Sequence, residues 1–249
     1  MNPGEHRRIL ITGAGGSIGR YLVERFSEDG DEVLGLDVRL DGLPATVWDG
    51  PSPHFARCDV TDPGALDQVL TEASAAGLFD VVINNAGYIF NSPVLAFRDG
   101  RLQAHDLGAW NEVIAGTLNS AFVVSARTAR AMVENRRPGV IINIGSICAV
   151  GNVGQAAYSA AKAGVNALTM TLAKELGAFG VRVAGLAPGF FDTASTRAAV
   201  SEDALNKLRK SIPLKRLGEL RHLYHALRFI VENDYFHGKV LELDGGLTL

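Results

Sequence analysis

The run Arg7-Arg8-Ile9-Leu10-Ile11-Thr12-Gly13-Ala14-Gly15-Gly16-Ser17-Ile18-Gly19 decides the fold. A short apolar strand ends in a glycine cluster. A helical pattern comes directly after it, with Ile18, Leu22 and Phe26 on one face and Arg20, Glu24, Arg25 and Glu28 elsewhere. Strand, glycine turn and helix N-terminus form an anion cradle: glycines let the backbone come close, and the helix start offers N–H groups and partial positive charge. Such a run also occurs in plain turns. Asp37 separates the two possibilities. It ends a second strand 18 residues beyond Gly19, where a carboxylate can accept from ribose hydroxyls and repel a 2′-phosphate. The pair therefore suggests NAD as the dinucleotide. Arg39, two positions on, is the competing contact for a 2′-phosphate, but neither Gly16 nor Val38 is basic.

Outward from this start, strand-like runs alternate with helix-length segments. Strands are expected at Arg7–Thr12, Glu32–Asp37, His54–Arg57, Asp80–Asn84, Gly139–Ile144, Val181–Leu186 and Lys239–Leu243. Helices are expected at Ile18–Glu28 with Gly30 as its stop, Pro63–Ala76 capped by Thr61 or Asp62, Leu107–Glu134, Ala156–Ala178 and near Leu220–Glu232. Ser195–Lys215 reads as a polar segment. Alternation of this kind packs as an α/β Rossmann-like, doubly wound, seven-stranded parallel sheet with helices on both faces. No linker, repeat or low-complexity stretch divides residues 1–249, so one domain is expected, dinucleotide-binding and catalytic together.

Composition narrows the function classes. The 249 residues carry 24 basic and 27 acidic side chains, a net charge of −3, with 47% hydrophobic residues. No basic block supports a nucleic-acid or anionic-membrane surface. Cys58 and Cys148 match no metal or redox spacing, the six histidines are scattered, and no metal site is suggested. Met1–Arg8 is short, charged and succeeded by a strand, unlike a signal peptide, so a reducing, cytoplasmic setting is the default. Pro138–Ala161 is uncharged over 24 residues, but its Asn, Ser, Gln and Gly residues favour a buried strand, a loop and a helix start over a membrane span. Val113–Ala126 carries no charge, and Ala156–Ala173 only Lys162. Helices with such faces are expected to pack against another subunit.

The second chemical motif is Tyr158-Ser159-Ala160-Ala161-Lys162. Positions four apart share a helix face. A phenol is a poor base at neutral pH, and a nearby ammonium should lower its pKa. Most Tyr and Lys pairs at this spacing are ordinary helix faces. Here Lys162 is the only charge between Pro138 and Ala173, and Ser146 ends the preceding strand, where α/β folds place ligands.

Taken together, these motifs resemble the single-domain short-chain dehydrogenase/reductase family over nearly the whole chain. Thr12–Gly19 resembles its cofactor loop, Asp59-Val60 its adenine-contacting pair, and Asn84-Asn85-Ala86-Gly87 its Asn-Asn-Ala-Gly motif. Pro188-Gly189 with Thr193 resembles the segment holding the nicotinamide end, and Asp244-Gly245-Gly246 the C-terminal signature. The resemblance implies that Ser146 bonds the substrate oxygen, Tyr158 exchanges the proton, and Lys162 tunes it and holds the nicotinamide ribose. Gly13, Gly16, Ser17, Ile18, Gly19, Asp37, Asp59, Val60, Asn85, Ala86, Gly87, Pro188, Gly189, Phe191 and Thr193 are the implied cofactor contacts.

Three positions depart from the family pattern. Ser17 stands where glycine is usual, and its hydroxyl is expected to cap the helix. Ser146 and Tyr158 are 12 apart rather than 13. Aligning on Trp110 puts Thr117 where many members have a catalytic asparagine, with Asn119 on another face. The Tyr88–Trp110 segment, Val153–Tyr158 and Ile230–Gly238 are similar to the type II 3-hydroxyacyl-CoA dehydrogenase branch. Phe90, Phe97, Phe190 and Phe191 are candidate walls of an apolar pocket, with ordinary packing the equal alternative. Cys148 is expected to pack as a small apolar residue.

The expected function is interconversion of a secondary alcohol and a ketone with NAD, on a 3-hydroxyacyl thioester, hydroxysteroid or similar small molecule. A ketoreductase or polyol dehydrogenase of secondary metabolism is the alternative within that chemistry, and a non-catalytic NAD-binding protein the alternative outside it. The family suggests a tetramer; the charge-poor helices alone suggest a dimer.

Overall fold

The computed structural model describes residues 6–43, 52–193, 196–197 and 201–249. The sequence readings at Met1–Glu5 and Ser195 fall outside these residues. Seven strands form one sheet: β1 (Arg8–Thr12), β2 (Glu32–Asp37), β3 (His54–Arg57), β4 (Val81–Asn84), β7 (Gly139–Ile144), β8 (Val181–Pro188) and β9 (Val240–Leu243). Their order is β3-β2-β1-β4-β7-β8-β9, and every pairing is parallel.

Both faces of the sheet are covered, which explains its unbroken apolar runs. Alternate residues of β1 show it. Ile9 and Ile11 pack with Leu22 and Phe26 of α1 (Ser17–Glu28) and with Leu227 and Ile230 of α7 (Leu220–Glu232). Leu10 faces the other way, into a core with Leu66 of α2 (Pro63–Ser74), Met132 of α4 (Ser120–Glu134) and Leu172 of α5 (Ala156–Leu176). Each such fully buried aliphatic side chain contributes about 1.5–3 kcal/mol. Asp62 rather than Thr61 caps α2, accepting from Gly64 and Ala65 backbone N–H at 2.8 and 3.3 Å.

Four sequence readings need correction. Leu107–Glu134 is not one helix: α3 (Leu107–Ile114) passes through a π-helical turn at Ala115–Asn119 before α4 begins. The π turn rotates the chain so that Thr117 is buried while Asn119 is not. The polar segment contains an amphipathic helix, α6 (Glu202–Ser211), whose Ser201 hydroxyl caps Ala204 N–H while Leu205 is buried. Residues 88–106, which carried no expected element, hold a two-stranded antiparallel hairpin, β5 (Leu95–Arg98) and β6 (Arg101–Ala104). Ser17 does not cap α1; it is the first helical residue, and the cap position is Gly16, which has no side chain.

The uncharged Pro138–Ala161 stretch divides into β7, a 3-10 turn at Ile147–Val150 and the start of α5. Among the described residues, no helix is long and apolar enough to cross a membrane.

Candidate active site

The strand order reverses at β1, whose neighbours are β2 and β4, and a crevice opens there beyond the strands' carboxyl ends. It is a cleft of about 800 Å³. Every catalytic or cofactor-contact residue expected from the sequence lines it except Thr117.

The glycine loop floors one end. A Cβ on Gly15 would lie 2.3 Å from the Arg39 carbonyl, and one on Gly19 only 2.1 Å from the Gly13 carbonyl. These two glycines allow strand, loop and helix to touch. Gly16 differs: a Cβ there would meet only the Gly13 carbonyl, at 3.5 Å. Its absent side chain leaves room on the cleft side, at the cap of a twelve-residue helix. Backbone approach combined with a helix N-terminus suits a pyrophosphate.

The loop is locked from two sides. Asp37 accepts Gly15 N–H at 2.8 Å on one oxygen and Arg39 N–H at 2.9 Å on the other, so its carboxylate stands fixed at the edge of the cleft. The Thr12 hydroxyl accepts from the backbone N–H groups of Asn85 and Ala86 at 3.1 and 3.0 Å. In return the Asn85 amide donates to the Thr12 and Gly13 carbonyls at 3.0 and 3.2 Å. Asp59 accepts from the Thr61 backbone and hydroxyl at 2.9 and 2.7 Å, which turns the chain after β3.

Beneath the other end lies a buried amide network. Asn84 donates to Asn143 Oδ1 at 2.8 Å and to Ser125 Oγ at 2.9 Å, while Asn143 donates to Thr169 Oγ1 at 2.9 Å. It fastens the ends of β4 and β7 to α4 and α5, which sets the height at which α5 presents its first turns. A hydrogen-bonded network of this kind rigidifies a core.

On those turns stand Tyr158 and Lys162. The Ser146 Oγ accepts Cys148 N–H at 3.1 Å and shares the cleft with the Tyr158 hydroxyl. The Lys162 amine is buried, 5.7 Å from the centre of the Tyr158 ring, and donates to the Ile144 carbonyl at 2.5 Å. The electrostatics differ from the sequence expectation. Burial pushes the Tyr158 hydroxyl up to about 12, the nearby Cys148 adds to the rise, and the Ser146 hydroxyl only partly offsets it. Burial pulls Lys162 down to about 8, against a smaller opposing effect of Cys148. The ammonium therefore does not acidify the phenol as expected. It is turned toward a carbonyl, and both groups lose hydration.

Thr117 lies behind the cleft wall. Its hydroxyl accepts Tyr88 N–H at 3.1 Å and stands 3.4 Å from the Tyr88 carbonyl. Both it and the Lys162 amine lie 3.7 Å from where a Cβ on Gly87 would sit, so Gly87 is the gap between them. Of the four phenylalanines, Phe190 and Phe191 line the cleft. Phe90 packs edge-on against His105, and Phe97 is exposed on the hairpin, so neither is a cleft wall. Arg20, Ile89 and Gln155 line the cleft and were not expected from the sequence; Arg20 donates to the Gly15 carbonyl at 3.2 Å, a contact with no sequence signature beyond its place after Gly19.

Comparison with known proteins agrees with this geometry. The short chain dehydrogenase family profile matches residues 7–204. The chain is 34% identical over 250 residues to the 3-oxoacyl-(acyl-carrier-protein) reductase FabG of Escherichia coli (strain K12), covering 98% of each chain. It is 35% identical over 256 residues to the (3R)-3-hydroxyacyl-CoA dehydrogenase of Canis lupus familiaris, covering 96% of this chain and 95% of the relative. A crystal structure from Agrobacterium tumefaciens, provisionally called a gluconate dehydrogenase, superposes with a TM-score of 0.85 at 25% identity, over 96% and 95% of the two chains. The chain is an oxidoreductase and belongs to the short-chain dehydrogenase family.

Proposed function

We propose that this oxidoreductase interconverts a secondary alcohol and a ketone with NAD(H), using Ser146, Tyr158 and Lys162. One observation carries the reading: Tyr158, one helical turn from a buried amine, stands in the same cleft as Ser146, a glycine loop and the fixed carboxylate of Asp37. Bound NAD⁺ would take the hydride from the carbinol carbon. Ser146 orients the substrate oxygen. Tyr158 takes the hydroxyl proton on oxidation and returns it on reduction. Lys162, in reach of the Ile144 carbonyl, is the positive group behind the phenol and the contact for the nicotinamide ribose.

Asp37 supports NAD over NADP: its charge lies where an adenosine ribose is expected, and its two backbone bonds keep it there. Phe190, Phe191 and Ile89 give the cleft apolar walls, which favours a substrate such as a 3-hydroxyacyl thioester or hydroxysteroid over a polyol. Self-association, to a dimer or tetramer, is assigned to the charge-free faces of α4 and α5, where Phe122 and Met170 are exposed.

The experiment is turnover of a panel of secondary alcohols with NAD⁺, monitored by reduced-cofactor absorbance, in wild type and Tyr158→Phe. Loss of turnover by about 10³-fold or more, with cofactor binding kept in a thermal-shift titration, is expected for removal of the proton-transfer group. Equal turnover by the two proteins would reject the mechanism. Cofactor binding without turnover in wild type, on every alcohol and ketone tried, would favour the non-catalytic alternative.

A further inference from the structure

Among the described residues, a second and smaller cavity of about 180 Å³ lies beyond the carboxyl ends of β8 and β9. Phe190, Phe191, Leu214, Leu217 and Leu243 give it apolar walls. Phe190 and Phe191 also line the large cleft that holds Ser146 and Tyr158. These two rings are therefore the partition between the reacting groups and the space behind them. The redox chemistry itself makes no use of that space.

The surface of the cavity is mostly carbon. Three polar side chains reach it, and each has a partner within the chain. Asp244 accepts Gly246 N–H at 2.8 Å. Arg216 stands 3.8 Å from the Glu219 carboxylate. His222 Nδ1 accepts Glu219 N–H at 2.9 Å; burial, and after it Arg216, hold the imidazole below its ordinary pKa, so the ring is neutral at physiological pH. Such a lining favours an apolar occupant. The two halves of the partition differ in how firmly they are held. Phe191 is 6% exposed, and its ring lies on Gly218, where a Cβ would come within 2.5 Å of it. Backbone bonds from Asp192 N–H to the Gly218 carbonyl and from Gly218 N–H to the Phe190 carbonyl, at 2.8 and 2.9 Å, fix the main chain beneath both rings. The Phe190 ring is half-buried and packs on side chains, the cluster of Leu205, Ile212 and Leu217. It is the ring with freedom to turn.

We propose that the cavity takes the apolar tail of the substrate, which enters from the cleft past the Phe190 ring. The inference rests on the alcohol–ketone reading of the cleft and narrows its substrate class to molecules that carry a flexible alkyl chain. An apolar cavity of about 150 Å³ is large enough for benzene, so this one holds about six carbons. A linear chain can thread past one turned ring, whereas a fused-ring body cannot, and this favours an acyl chain over a steroid. Each methylene moved from water into such a space raises affinity about fourfold.

The test measures equilibrium binding and turnover of a homologous series of thioesters, from 3-hydroxybutyryl- to 3-hydroxymyristoyl-N-acetylcysteamine, with NAD⁺ present. In wild type, affinity and kcat/KM should rise about fourfold per methylene over a run of about six methylenes and then level off. Leu243 lines the cavity and not the cleft, so Leu243→Phe fills the cavity and should abolish most of that rise. The longest chains should lose about a hundred-fold against wild type, while the 3-hydroxybutyryl thioester keeps its kcat/KM. If Leu243→Phe fails to fold, Leu214→Trp, at an exposed position on another wall, takes its place. Affinity that is absent or flat with chain length overturns the proposal. So does a rise that the filled cavity leaves unchanged, since the tail would then lie within the cleft. If thioesters bind and none is turned over, the redox reading fails while the binding series still decides the cavity.

Discussion

Replacing Lys162 by Met should change how stability depends on pH, by an amount the burial of the amine fixes. Lys162 titrates near 8 in the folded chain, while an unfolded lysine titrates near 10.5. Between those values the folded protein has released this proton and the unfolded chain still binds it. Unfolding then takes up a proton, so rising pH favours the folded state, and the contribution is lost as pH falls back through 8. From pH 7.5 to 10 the gain is about 2–3 kcal/mol, at roughly 1.36 kcal/mol per pH unit. Other groups move the total in the opposite direction. Burial holds the Cys58 thiol up to about 11, so above pH 9 unfolding releases a proton there and stability falls. Tyr158, near 12 when folded and 10 when unfolded, does the same above pH 10. The quantity to measure is therefore the difference between wild type and Lys162→Met, in which Cys58 cancels, with the range stopped at pH 10 to leave Tyr158 out. Urea unfolding at half-unit steps provides it, with equal m-values in the two proteins as the check that their denatured states match. Wild type should gain about 2–3 kcal/mol on the variant across the range. A difference flat to about 0.5 kcal/mol would mean that the amine keeps its ordinary pKa, and the electrostatic account of the site would fall with it.

Three further outcomes test other parts of the structure. Gly15→Ala and Gly16→Ala should part company: the first forces a Cβ to 2.3 Å from the Arg39 carbonyl and should cost about 2–4 kcal/mol of stability, while the second meets nothing closer than 3.5 Å and should keep the melting temperature but weaken NAD⁺ binding. Loss of stability in both, or in neither, would contradict the division of labour between the glycines. Asp37→Asn removes a charge that would face a 2′-phosphate, a repulsion of about 1–3 kcal/mol, so the NADP⁺ to NAD⁺ ratio of kcat/KM should rise about 10–100-fold; an unchanged ratio in steady-state kinetics would remove Asp37 as the selector. Thr117→Val leaves the Tyr88 N–H without its acceptor and should cost about 1–3 kcal/mol, read as a lower melting temperature that Thr117→Ser restores; a melting temperature unchanged by Val would show that the bond does not hold the loop.

The sheet was legible because its signals are local and redundant. Ile9-Leu10-Ile11 and Val81-Val82-Ile83 are apolar on both sides, and that occurs where helices cover both faces. The hairpin was also written in the sequence, in Asp99-Gly100 between Phe97 and Leu102, but its apolar residues alternate toward solvent, so a reading that looks for a buried face passes over it. Helix α6 hides for a related reason: Leu205 is its one buried residue, and the remaining signal is the Ser201 cap with acidic residues in the first turn. The π turn at Ala115–Asn119 leaves no compositional trace; residue types that continue an α-helix also tolerate one extra residue in it. Membership of the cleft was readable position by position because strand ends and the glycine loop fix it. Contacts such as Arg20 with the Asp41 carbonyl depend on how the second strand's loop folds back.

The protonation states at Tyr158 and Lys162 were the least legible feature, for a physical reason. Spacing places the amine on the same helix face as the phenol, but it does not say which of two opposed effects is larger. An ammonium beside a phenol lowers its pKa; removing water from both raises the phenol and lowers the amine. Here the amine has turned to the Ile144 carbonyl, and burial exceeds attraction at both groups. The phenol that results is neutral well above physiological pH. A neutral hydroxyl in the cleft with Ser146 is already a proton donor, as reduction of a ketone requires. Oxidation of an alcohol needs the phenolate, the form that burial disfavours at Tyr158. The two directions of the proposed reaction therefore make unequal demands on this site: reduction uses the protonation state the fold sets, and oxidation requires additional positive charge brought close to the Tyr158 oxygen.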